Sequence, residues 1–309
     1  MTHIAFIGLG RMGGPMAANL VKAGREVRGF DLDARLWAAA VAQGLHAATT
    51  AKAAALGAAA IVTMLPAGEA VLAVWRELLA CANPDTLFVD CSTIDIASAR
   101  RAHRLAADAG RPSVDAPVSG GVAGAKTGTL TFMCGGEAPA FERARPLLAE
   151  MGKKIIYCGE GGLGQAAKIC NNMMLGATMI ATCEAFALAE RLGLSDKTLF
   201  DVASVSSGQS WSLTQYCPAP GILPTSPASC DYRPGFMTAL MLKDLRLAEA
   251  AAEQVGLPTP LAALAAQIYA LYASRGEAER DFSGVIRMIR EGRAAEAETA
   301  DGDEPPKQA

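Results

Sequence analysis

Histidine is scarce in this chain: His3, His46 and His103 are the only three in 309 residues. His3 opens the first apolar run, His46 follows a helical segment and His103 sits in an Ala/Arg-rich stretch, so each reads as structural or exposed. Any proton-transfer chemistry then falls to another residue type. The eight cysteines form no CxxC pair and have no histidine spaced beside them, which argues against a zinc site or a disulfide framework, and no metal site is expected. They read as buried free thiols, suited to a reducing cytoplasm. No lysine/arginine block is present and the formal net charge is −3, so neither nucleic acid nor a polybasic membrane contact is expected. The apolar run "HIAFIGLG" near the start is too short to span a bilayer and has no basic leader or small-residue cleavage site, so it reads as structure. No internal repeat is evident.

The length suggests about two domains. Through the first half, short apolar runs ("IAFIGLG", "EVRGFDLD", "AAIVTMLP", "TLFVDCST", "RPSVDAPVS") alternate with helical stretches ("GPMAANLVKAG", "ARLWAAAVAQG"). That alternation predicts βαβ units and a doubly wound parallel sheet of Rossmann type over residues 1–163. From Gly164 onward long helical segments take over, predicting an all-α second domain over 164–293, joined through a long interdomain helix. The hinge is the glycine-rich "GEGGLG" at 159–164. The small, acidic tail at 294–309 has nothing to bury and is expected to be disordered.

Gly8, Gly10 and Gly13 form G-L-G-R-M-G directly after a strand-like run and directly before a helical one. Glycines at this spacing allow a tight turn and a close backbone approach, so a pyrophosphate can sit on the amides of the helix N-terminus. Gly8, Leu9, Gly10, Arg11, Met12 and Gly13 are therefore candidate NAD-binding residues. Asp31 ends the second strand where a carboxylate can accept from ribose hydroxyls and repel a 2′-phosphate, favouring NAD over NADP, although Arg28 and Arg35 lie nearby. Met64, Leu65 and Pro66, with Thr93, close later strands at the edge where open α/β sheets bind ligands, and they join the cofactor set.

"DAPVSGGVAGAKTGTLTFMCGG" at 115–136 places a polar, glycine-dense loop between strand-like segments. Ser119, Gly120 and Gly121 could offer a hydroxyl and successive amides to an anion, or simply form a hairpin-like loop. In "GQAAKICNNMML", Lys168 has Asn171 and Asn172 three and four residues on, on one helix face. A lysine desolvated in a cleft can have its pKa lowered toward neutrality. Lys243, beside Asp244, has no carboxylate at helical spacing to explain it; it is a solvated surface lysine or a cleft residue.

Together "FIGLGRMGGPMAANLVKAG", "DAPVSGGVAGAKTGTLTFM", "GLGQAAKICNNMML", "SSGQSWS", "FMTALMLKDLRLA" and "DFSGVIRMIRE" resemble, in order and spacing, the β-hydroxyacid dehydrogenases. The branch most similar is the one that oxidises 3-hydroxyisobutyrate to methylmalonate semialdehyde in valine catabolism. The resemblance implies that Lys168 is the catalytic acid/base and Asn172 orients substrate. It also implies that "DAPVSGG" holds the substrate carboxylate and that Lys243 (toward cofactor) and Asp244 line the cleft. Trp211 and Phe236 are taken as apolar substrate contacts, and a homodimer or homotetramer is expected. Tartronate semialdehyde reductase or another short-chain β-hydroxyacid dehydrogenase stays open, as does a noncatalytic scaffold of the same superfamily, against which the retained Lys168 argues. Gln165, where a 6-phosphogluconate dehydrogenase would have a nearby histidine, and the short C-terminus argue against that enzyme; an imine reductase would replace the lysine.

Overall fold

A computed structural model describes residues 3–291. Within them lie two compact units: residues 3–174 with Lys243–Pro260, and Leu175–Leu242 with residues 261–291. The tail expected over 294–309 lies outside the described residues.

The first unit opens with β1 (Ile4–Ile7), α1 (Gly13–Lys22), β2 (Val27–Phe30), α2 (Ala34–Val41), β3 (His46–Ala47) and α3 (Ala51–Ala55). It continues with β4 (Ala60–Thr63), α4 (Gly68–Leu79), β5 (Leu87–Asp90), α5 (Ile96–Asp108) and β6 (Ser113–Asp115). These strands pair in parallel in the order β3-β2-β1-β4-β5-β6. Every residue of β1, β4 and β5 is buried, as a parallel sheet covered on both faces requires. Alternate side chains feed two apolar layers: Phe6, Val62 and Val89 point one way with Met16 and Leu20, and Ile7, Ile61 and Phe88 the other way with Trp75. The direction of strand addition reverses between β1 and β4. Their C-terminal ends therefore frame the crevice where such sheets take ligands.

Beyond β6 come β7 (Val118–Ser119), α6 (Gly121–Thr127), β8 (Leu130–Gly136), α7 (Ala138–Ala149) and β9 (Gly152–Gly159). β8 runs antiparallel to β6 and β7 and parallel to β9. The glycine-dense stretch read as a possible hairpin-like loop contains helix α6 instead. Gly120 (φ 130°) and Gly121 (φ 61°) turn the chain into it, and Gly128 (φ 65°) ends it. Asn19 of α1 donates to the Ala125 carbonyl at 2.7 Å, so packing on α1 overrides the local cost of glycine.

Helix α8 (Leu163–Arg191) is long and apolar enough to cross a membrane by length and composition alone. Its opening turns instead carry buried Gln165, Lys168 and Asn172 within the first unit. The second unit holds α9 (Asp196–Ala203), α10 (Trp211–Thr214), the first turn of α11 (Thr238–Gln254), most of α12 (Pro260–Tyr272) and α13 (Val285–Glu291). Among the described residues no strand follows β9, so the second half is all-α as expected. Its loops converge on Asp281, whose Oδ2 accepts from Tyr216 Oη and from the Gly235 and Phe236 amides at 2.8–2.9 Å.

The cysteines depart in part from expectation. All eight are free, but only Cys91, Cys134, Cys183 and Cys217 are buried. Cys81 and Cys158 are half-buried, and Cys170 and Cys230 are exposed because they fall on the outward side of α8 and on a surface turn.

Candidate active site

The turn after β1 is built by its glycines. Gly8 has φ 95°, and a Cβ there would run into the Met64 carbonyl; one on Gly13 would run into the Gly8 carbonyl. Gly8 and Gly13 thus let β1, β4 and α1 approach one another. Gly10 differs, since a Cβ on it meets no atom of the described residues within 4 Å. Its bareness serves no contact among the described residues and leaves open space over the turn. Helix α1 starts at Gly13 behind half-buried Met12 with no side-chain cap and no acidic residue in its first turn, so its amides suit an anion. Leu9 is buried beneath the turn, while Arg11 is exposed on it.

Asp31 stands one residue beyond β2. Its Oδ2 accepts from the Leu9 amide at 2.7 Å and its Oδ1 from the Asp33 amide at 2.9 Å, which fixes the carboxylate against the glycine turn with acceptor capacity to spare. The two arginines that could have welcomed a 2′-phosphate are engaged: Arg28 with Glu26 at 3.0 Å, and Arg35 with Asp33 at 2.8 Å. These features fit an NAD ribose at this edge. Met64 and Leu65 follow β4 directly, half-buried, with exposed Pro66 after them, and Thr93 lies beyond β5.

Lys168 is buried in the second turn of α8, and no hydrogen bond to its Nζ is found among the described residues. Burial pushes its pKa below the ordinary lysine value; neighbouring Lys243 pushes the same way and Asp244 opposes them. Asp244, itself buried, is raised by burial and pulled back by Lys168, Lys243 and a hydrogen bond from Asn172 Nδ2. Asn171 donates to Asn172 Oδ1 at 3.0 Å rather than flanking the lysine as an equal partner. Lys243 is no solvated surface lysine: its Nζ donates to the Thr93 carbonyl at 2.6 Å and the Pro66 carbonyl at 3.2 Å, joining α11 to the loops after β4 and β5. Lys168, Asn172, Lys243, Asp244, Pro66 and Thr93 therefore form one connected set.

Other members of this network were not singled out from sequence. Asp115, at the end of β6, caps the start of α8: Oδ1 accepts from the Gly162 amide at 2.7 Å and Oδ2 from the Gln165 amide at 2.9 Å. His103 Nε2 lies 2.8 Å from the same Oδ1, and its Nδ1 lies 2.7 Å from Ser113 Oγ. Because a carboxylate only accepts, Nε2 carries the proton. Asp90 Oδ1 accepts from Thr63 and Ser92 hydroxyls at 2.7 and 2.6 Å, while its buried Oδ2 has no partner among the described residues. Burial raises its pKa to about 6. The available signal was an acidic residue closing each of two neighbouring apolar runs, "FVD" and "SVD".

Ser119 ends β7 partly exposed, followed by Gly120 and Gly121 at the α6 start. No hydrogen bond joins the Ser119 side chain to the Lys168 set among the described residues. Trp211 and Phe236 belong to the second unit, where Trp211 stacks on Tyr216 at 4.9 Å and Phe236 meets Phe282 edge-on at 5.8 Å.

A family model for the NAD binding domain of 6-phosphogluconate dehydrogenase matches residues 3–159, and one for the NAD-binding region of NADP-dependent 3-hydroxyisobutyrate dehydrogenase matches residues 162–289. A probable 3-hydroxyisobutyrate dehydrogenase of Mycobacterium tuberculosis is 51% identical over 94% of this chain and 98% of its own length. An NAD-dependent L-serine dehydrogenase of Pseudomonas aeruginosa is 48% identical, with the same coverage of both chains. The solved structure of M. tuberculosis 3-hydroxyisobutyrate dehydrogenase with L-serine superposes with a TM-score of 0.90 at 51% identity, covering 94% of this chain and 99% of that one. By its sequence over nearly its whole described length and by its fold, the chain belongs to the 3-hydroxyisobutyrate dehydrogenase family of NAD-binding oxidoreductases.

Proposed function

We propose that this protein oxidises 3-hydroxyisobutyrate to methylmalonate semialdehyde, with NAD as acceptor and Lys168 as the general acid and base. The observation that carries the reading is a buried lysine, depressed by desolvation and without a hydrogen-bond partner among the described residues. A neutral Nζ can take the hydroxyl proton as the carbon gives up its hydride, and an ammonium can return it in the reverse direction. Bound NAD supplies the hydride-accepting ring. Gly8 to Gly13 and Asp31 would hold its pyrophosphate and ribose, with Met64, Leu65, Pro66, Thr93 and Lys243 at the reacting end. Asn172, held by Asp244, would orient the substrate hydroxyl. Ser119 and the amides of Gly120 and Gly121 would receive the carboxylate, a role supported by their exposure and their place at a helix start.

L-serine is the second reading, favoured by the serine dehydrogenase relative and by the relative's structure with L-serine. The two substrates share a primary hydroxyl two carbons from a carboxylate and differ in a methyl against an ammonium. One methyl group is worth ~1–3 kcal/mol of discrimination, so weak activity on unbranched 3-hydroxy acids is expected beside that on the branched one. Steady-state kcat/KM for 3-hydroxyisobutyrate, L-serine, glycerate and 6-phosphogluconate tests the assignment: the branched acid should lead, and a higher value for serine or glycerate overturns the substrate while leaving the lysine chemistry intact.

A homo-oligomer belongs to the same reading. Leu188, Leu192, Val205, Leu261 and Leu264 of the second unit are all more than half exposed, which is costly surface for an isolated chain.

A further inference from the structure

We propose that Gln165 is a positioning residue that sets the spacing between the cofactor-side loop at 92–94 and the acid/base Lys168. The inference rests on the reading of Lys168 given above.

Gln165 is fully buried, and both ends of its side-chain amide are spent on one short loop. Oε1 accepts from the Ile94 amide at 3.1 Å, and Nε2 donates to the Ser92 carbonyl at 2.7 Å. The pair grips a backbone acceptor and a backbone donor two residues apart, as a neighbouring strand would. The same residue's main-chain N–H is held by Asp115, so Gln165 joins the ends of β5 and β6 to the first turn of α8. Lys168 follows three residues later, on the neighbouring position of the same helix face.

The gripped loop is also where the cofactor edge is assembled. Ser92 Oγ accepts from the Leu65 amide at 2.8 Å and donates to Asp90, and the Thr93 carbonyl takes Lys243 at 2.6 Å. Among the described hydrogen bonds, the Gln165 side chain alone ties this loop to the helix that carries Lys168. A dehydrogenase must place its proton acceptor and its hydride acceptor at a fixed separation about one carbinol carbon, and a misplacement on the order of 1 Å costs ~10²-fold in rate. No other side chain substitutes cleanly. Glutamate would turn an anion toward the Ser92 carbonyl, methionine would leave a buried N–H and C=O unpaired, and asparagine is one methylene short.

The test uses the full-length enzyme carrying Gln165→Met or Gln165→Asn, with Lys168→Ala alongside. NADH affinity is read by fluorescence, the primary deuterium isotope effect on kcat with carbinol-deuterated substrate, and amide exchange over residues 92–96 by mass spectrometry. Expected for both Gln165 variants are kcat lowered ~10- to 100-fold, NADH affinity within about threefold of the parent, a larger isotope effect, and faster exchange at 92–96. Unchanged kcat and isotope effect in a folded variant overturn the proposal, as does a loss confined to NADH affinity. If methionine prevents folding, the asparagine variant decides by the same readouts. Normal turnover by Lys168→Ala would overturn the acid/base reading instead, whatever the Gln165 variants do.

Discussion

The proposed chemistry turns on a single amino group, and its environment makes that proposal testable. Lys168→Ala should lower kcat by ~10²- to 10⁴-fold, the range for a positioned acid/base, with little change in NADH affinity measured by fluorescence titration. If Lys168 is the base as proposed, oxidation requires its neutral form, and kcat/KM should rise with pH along a limb lying below the ordinary lysine pKa of ~10.4. Asp244 stabilises the ammonium, so Asp244→Asn should carry that limb to lower pH; a limb that stays or moves upward contradicts the assignment. Asp90 makes a separate claim about stability. Its folded pKa of about 6 exceeds the carboxylate value of 3.8, so its contribution is fully present below pH 4 and is lost as pH rises through 6. That loss is on the order of 3 kcal/mol. Urea unfolding at pH 4.5 and 7.5 should therefore show Asp90→Asn gaining on the parent at the higher pH, and parallel pH dependence would refute the burial argument.

At the level of the element, the glycine turn after β1 separates folding from binding. Gly8→Ala forces a side chain into the Met64 carbonyl at a left-handed φ and should destabilise the protein or prevent its folding. Gly10→Ala meets no atom of the described residues, so Tm should hold within a few degrees while NADH affinity falls at least ~10-fold; calorimetry and fluorescence together check the pair. This turn was legible in sequence because glycine spacing, strand and helix lie within a dozen residues. So were the parallel sheet, from its apolar runs, and Lys168 with Asn172, from helical spacing. Helix α6 was not, since Gly121, Gly124 and Gly128 argue locally for a loop and only packing on α1 outweighs them. Nor was the clamp at the start of α8. Asp115 and Gln165 meet partners about 50 and 70 residues distant, and no local periodicity encodes a hydrogen bond across that separation. Trp211 and Phe236 show the converse limit, for the structure gives them aromatic neighbours within their own unit that composition did not reveal.

For the molecule as a whole, the exposed leucines of the second unit are the surface that the proposed oligomer would cover. Leu261 and Leu264 stand three residues apart on α12, 70% and 57% exposed, which makes them one apolar stripe. Light scattering after gel filtration at micromolar concentration should give a dimer or tetramer, and Leu261→Glu with Leu264→Glu should reduce that mass; a monomeric parent would end the oligomer reading. The path of the chain bears on how the protein is made. The first compact unit is completed only by residues 243–260, and Lys243 bonds to Thr93 and Pro66 across 150 and 177 positions of sequence. At ~5–20 residues per second of synthesis, many seconds pass between the emergence of those two loops from the ribosome and the arrival of the lysine that ties them down. The nascent sheet can form early, but the rim at the C-terminal ends of β4 and β5 stays unfinished until residues 243–260 have been translated.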